Sequence, residues 1–147
     1  MGQAGAGESL RSGAPVPAAF MWVSLAGPLS NFLMAVVVAI PFRLGLVSSM
    51  DAQLAILTKS DHFLPTLPQL LFVFVQVNLV LMLFNLIPLP PLDGEKIAAY
   101  LLPPAWTRFM DTIRPFSMII LLAIAYIGVL NYIIIPPLRL LMGLLVG

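Results

Sequence analysis

Cysteine is absent from the 147 residues, and histidine occurs once, at His62. The first absence excludes disulfides, thiol chemistry and zinc sites built on thiolates. The second leaves His62 without another imidazole at helical spacing, so it reads as a loop or interfacial residue. Charge is also scarce. Charged residues make up 9% and hydrophobic residues 61%, against roughly 25% charged in soluble globular domains. A net charge of +1 gives no electrostatic footprint for nucleic acid. There is no internal repeat, heptad pattern, phosphate-binding loop or Gly-rich dinucleotide turn. What remains is apolar length, punctuated by 14 prolines that mark where helices should stop.

Residues 1–14, rich in Gly, Ala and Ser, read as a flexible leader. Residues 15–147 read as an all-α, polytopic integral membrane domain with about three transmembrane helices, each of the roughly 20 apolar residues a bilayer requires. The expected spans are 18–42, 67–87 and 116–135. The polar stretch carrying Arg43, Asp51, Lys59, Asp61 and His62 is a connecting loop, with room for a short helix at 51–57. In the first span, Gly27-Pro28 predicts either a kink or a helix starting at Pro28 after a re-entrant piece. Gly27 and Asn31, four apart, place a small and a polar group on one face, as close helix packing in lipid favours. Asn78 and Asn85, seven apart, also share a face. Segment 94–114 reads as amphipathic, with Trp106, Phe109, Met110 and Ile113 at i, i+3, i+4 and i+7. The third span is bounded by Arg114-Pro115 and Pro136-Pro137.

The stretch Asn85-Leu86-Ile87-Pro88-Leu89-Pro90-Pro91-Leu92-Asp93-Gly94 closes the second span. Residues 63–92 carry no charged side chain, and Asp93 ends that run. Three prolines in four positions break the helix and predict an extended strap at or below the bilayer edge. Irregular backbone at that depth is buried in protein or lines a wet cavity, so its carboxylate is a site candidate. The same residues also read as a helix start, with Asp93 as N-cap and Glu95 in the first turn. One carboxylate has acceptor sites for both roles.

This ten-residue stretch resembles the third motif of the site-2 protease family, the intramembrane zinc metalloproteases. Leu25-Ala26-Gly27-Pro28-Leu29-Ser30-Asn31 is similar to the Gly-Pro-x-x-Asn stretch of that family's neighbouring core helix. The resemblance covers residues 15–102. It implies that Asp93 is the third ligand of one zinc ion, beside two His of a His-Glu-x-x-His helix whose Glu is the general base. It also implies that Asn85 holds the substrate backbone or oxyanion. Pro88, Pro90 and Pro91 would form a substrate-side wall able to accept an unwound peptide as an added strand. Gly27, Pro28, Asn31 and Gly94 would be structural.

No His-Glu-x-x-His occurs in the 147 residues, and no catalytic base. The expectation is therefore one part of an intramembrane zinc metalloprotease, inactive by itself, with the remaining ligands from outside this chain. A missing N-terminal catalytic segment, the lipid bilayer and transmembrane-protein substrates would be its partners. The alternative is a non-catalytic membrane protein that binds transmembrane helices: a pseudoprotease, or a scaffold or transporter fragment. With three spans, the Asp93 side holds four cations (Arg11, Lys96, Arg108, Arg114) and the other side three (Arg43, Lys59, Arg139). The positive-inside rule then leans towards a cytosolic Asp93 side.

Overall fold

In the computed structural model of the protein, residues 18–58 and 65–147 are described. The leader 1–14 and His62 lie outside them. The described residues are all-helical, without a strand. In order they form α1 (Ala18–Arg43), α2 (Ser49–Leu57), α3 (Leu67–Asn85), α4 (Asp93–Leu101), α5 (Pro104–Ile113), a 3-10 turn (Arg114–Phe116), α6 (Ser117–Ile127) and α7 (Val129–Leu145).

The core is the packing of α1 against α3, with α2 and α7 added at one end. Ala35 and Ala39 of α1 are fully or almost fully buried, one turn apart. Small residues at that spacing let the partner backbone come close. Val75 and Leu79, also four apart, fill the space from α3 and are fully buried. Phe42 and Phe72 close this layer edge-to-face, with ring centroids 6.4 Å apart. Val146 covers the cluster from the end of α7, and Ala52 covers it from α2.

The outward faces stay apolar. Val37, Ile40, Val77, Leu122 and Tyr126 are all exposed, which suits acyl chains rather than water. Three helical stretches are long and apolar enough to cross a membrane: Ala18–Arg43, Leu67–Asn85 and Pro104–Ile127.

Proline acts differently in each helix. Helix α1 runs without interruption through Pro28 and Pro41, so Pro28 is not a helix start. The Ser30 hydroxyl donates to the Gly27 carbonyl at 2.8 Å, keeping that polar pair within the helix. At the start of α3, Pro68 lies in the first turn, where a missing N–H removes no bond. There Gln69 Oε1 accepts from the Thr66 N–H at 2.7 Å.

The third expected span, 116–135, is divided differently. Gly128 adopts φ +85° and separates α6 from α7. A left-handed residue just past a helix end is a position where glycine avoids the Cβ penalty. Pro136 and Pro137, expected as a boundary, lie inside α7. Their fixed φ is itself helical, and α7 is held by packing on α3 and α1.

The Arg43 guanidinium donates to the Leu144 carbonyl, so α7 ends level with the end of α1. Arg114, just before α6, pairs with Glu95 at the other end of the molecule. Helices α6 and α7 together therefore return the chain from the Asp93 end to the Arg43 end, with the break at Gly128 between them.

Gly128→Ala should lower stability by about 1 kcal/mol, because alanine disfavours the left-handed region. Gly143→Ala, where an added Cβ meets open space, should be neutral or mildly stabilising. Unfolding of both variants in detergent micelles compares them directly.

Candidate functional site

The site begins where α3 fails. Asn85 is the last helical residue, and Pro88, Pro90 and Pro91 prevent continuation. The strap is not extended as expected; it is a compact double turn. The Ile87 N–H donates to the Phe84 carbonyl at 3.1 Å, the Leu89 N–H to the Ile87 carbonyl at 2.8 Å, and the Leu92 N–H to the Leu89 carbonyl at 2.8 Å. The Leu86 N–H closes on Met82.

The remaining strap positions are prolines, which have no N–H. Residues 86–92 thus have no N–H left to donate. A peptide cannot pair with this strap as an ordinary added strand, which needs donors and acceptors in alternation. The strap can only accept, through its carbonyls. The Asn85 amide has no hydrogen-bond partner among the described residues and is the side-chain N–H donor at this place. Pro90 is fully buried, while Pro88 and Pro91 are exposed on the outer edge.

Gly94 makes the turn possible. A Cβ there would collide with the main-chain carbonyls of Leu86 and Ile87. The first turn of α4 therefore lies directly on the end of α3. Leu92, not Asp93, occupies the N-cap position, and Asp93 is the first residue of α4. The Asp93 side chain makes no capping hydrogen bond. Its nearest cation is Lys96, with Nζ 3.8 Å from Oδ1, and both side chains are 35% exposed.

Asp93 instead leans on α1. A Cβ at Gly27 would lie 3.2 Å from Asp93 Oδ2, so the missing side chain at Gly27 leaves the carboxylate its seat. Gly27 lies 16 residues before Arg43 in α1, a rise of about 24 Å, so the Asp93 contact lies far from the Arg43 end of the bundle. Pro28 is buried beside this contact, and Asn31 is half-buried one turn further along α1. Asn78 lies elsewhere: it is buried, and its amide donates to Phe74 of its own helix at 2.9 Å.

A second group of charges has only a partial trace in the sequence. The Glu95 carboxylate is nearly fully buried and pairs with Arg114, which also reaches Asp111 at 3.2 Å. The i,i+3 spacing of Asp111 and Arg114 is legible in the sequence. The Glu95–Arg114 pair is not, because it depends on how α5 folds back on α4 after Leu102-Pro103. Burial pushes the Glu95 carboxyl above its ordinary value of 4.5; Arg114 opposes the rise, Asp111 adds to it and Lys96 opposes it.

Zinc at a catalytic site takes three protein ligands. Among the described residues no three of His, Cys, Asp and Glu stand close enough to hold a metal. The described residues do not fit a resident zinc by themselves; Asp93 offers one carboxylate.

Over 117 residues the chain is 34% identical to the protein named "Putative zinc metalloprotease YwhC" of Bacillus subtilis (strain 168). The match covers 80% of this chain and 50% of that protein. The chain thus spans about half the length of the curated relative it matches. No family model and no solved structure matches the chain.

Two outcomes follow from this geometry. Gly94→Ala should destabilise the fold by about 1–3 kcal/mol, the usual range for overpacking, seen as a lower unfolding midpoint in detergent. For Glu95, a carboxyl raised in the folded state adds stability that is complete below its ordinary value of 4.5 and fades as pH rises through the folded value. Unfolding midpoints should therefore fall as pH climbs from that value, and Glu95→Gln should flatten the slope.

Proposed function

We propose that this chain is the strap-bearing part of an intramembrane zinc metalloprotease of the site-2 protease kind. The observation that carries the reading is the seat of Asp93: an uncapped carboxylate just after the proline strap, lying against the Cβ-free face of α1 at Gly27. The motif around it and the similarity to a relative named as a zinc metalloprotease support the same reading. Its substrates would be membrane proteins whose helices unwind locally at the strap.

In this reading Asp93 supplies one zinc ligand. The two imidazoles and the general base come from residues outside these 147. The strap carbonyls accept N–H groups of the unwound substrate, and the Asn85 amide supplies the matching donor beside them. Pro88 and Pro91 present the outer edge, while buried Pro90 fixes the turn. Gly27, Pro28, Asn31 and Gly94 hold the carboxylate and strap in place. The Asp93 side would face the cytosol, in line with its one-charge excess of Lys and Arg.

One other reading rests on the apolar faces the bundle leaves exposed: a helix-binding protein without hydrolytic activity.

A zinc assay separates the two. Co-purified in micelles with a membrane helix bearing His-Glu-x-x-His, this chain should retain about one zinc per complex. Asp93→Asn should lower that affinity by about 10- to 100-fold or more, since it removes a ligand rather than a residue behind one. The chain alone should hold no stoichiometric zinc and cleave no peptide. Complex formation with no effect of Asp93→Asn on zinc would leave the helix-binding reading.

A further inference from the structure

At the end of the molecule opposite Asp93, a groove of about 480 Å³ runs between α2, α3 and α7. Its walls include Phe72, Leu138 and Met142, and its polar groups are Gln53, Gln76 and Arg139. Gly143 also lines it, and a Cβ at Gly143 would meet nothing within 4 Å, so the groove is open there.

Its depth follows from the helices. Leu144 is level with Arg43, and Arg139 lies five residues before it, about 7 Å further into the apolar layer. Phe72 is level with Phe42, and Gln76 is one turn beyond Phe72, about 6 Å inward. A cation and an amide thus meet at one depth, below the rim, beside an apolar wall.

Among the described residues Arg139 pairs with no carboxylate, the three ion pairs lying at the Asp93 end. No acidic side chain among the described residues lines the groove; the carboxylate of Gly147 lies at it, eight positions from Arg139 and not paired with it. Arg43, the other cation at this end among the described residues, donates to Leu144.

We propose that this groove binds one anionic phospholipid, its phosphate held by Arg139 with Gln76 and Gln53, its acyl chains along Phe72, Leu138 and Met142. Charge complementarity selects an anion, and the apolar wall at membrane depth selects a lipid over a soluble ion. The site is independent of the protease reading.

Native mass spectrometry of the full chain, purified in detergent with equal phosphatidylglycerol and phosphatidylcholine, tests this. One phosphatidylglycerol should be retained in preference by about fivefold, the effect of roughly one cation at a membrane surface. Arg139→Gln should bring the ratio near one, and Arg139→Lys should keep most of the preference. Gly143→Leu, which fills the groove where space is open, should abolish retention of both lipids. Arg108→Gln, at the opposite end, should change nothing.

Equal retention of the two lipids by the unaltered chain would overturn the proposal. So would a preference that survives both Arg139→Gln and Gly143→Leu. Displacement of the lipid by millimolar inorganic phosphate would identify a soluble-anion site and overturn it as well.

Discussion

Everything at the Asp93 end depends on two places where a side chain is missing. Gly94 lets the first turn of α4 rest on the Leu86 and Ile87 carbonyls, and Gly27 lets the Asp93 carboxylate rest on α1. The first contact fixes where α4 starts; the second fixes what its first residue faces. Both are contacts of main chain or small groups at close range, the kind that holds helices together in lipid, where apolar burial gives little preference for a protein neighbour. The strap is thus positioned by backbone shape more than by side-chain volume.

The charges are sorted by the same geometry. Asp93 and Glu95 are two residues apart, about 200° around a helix, so they face different neighbours. Asp93 keeps a partly exposed position, with Lys96 as a loose neighbour. Glu95 is buried and tied to Arg114, which clasps α4 to the end of α5. Burial outweighs the arginine in setting the Glu95 carboxyl, so the clasp is an expensive one, of the sort that fixes an arrangement more than it stabilises it. The carboxylate free of that clasp is the one available for a ligand.

The strap's hydrogen bonds narrow its chemistry. A proline-rich segment has few N–H groups to begin with, and the double turn consumes those of Leu86, Ile87, Leu89 and Leu92. What the strap keeps is acceptors only, with one side-chain amide, Asn85, at its start. At the far end the groove at Arg139 has the opposite character: a cation set in an apolar wall. The two ends of the same helix bundle are therefore suited to different partners.

Composition and periodicity by themselves determined the helical class and the presence of helices long and apolar enough to cross a membrane, because apolar length and prolines act locally. The Asn85–Gly94 stretch was legible as a break carrying a carboxylate for the same reason. The sequence left open whether Asp93 caps a helix, and it pointed to an extended strap where a double turn exists. It also placed the third boundary at Pro136-Pro137 rather than at Gly128. Those outcomes rest on what packs against what: α7 carries its two prolines against α3, and Glu95 meets Arg114 only once α5 has folded back. Asp93 finds Gly27 because two helices far apart in the chain lie side by side. Local rules cannot supply such contacts, since their energies exist only when distant segments meet.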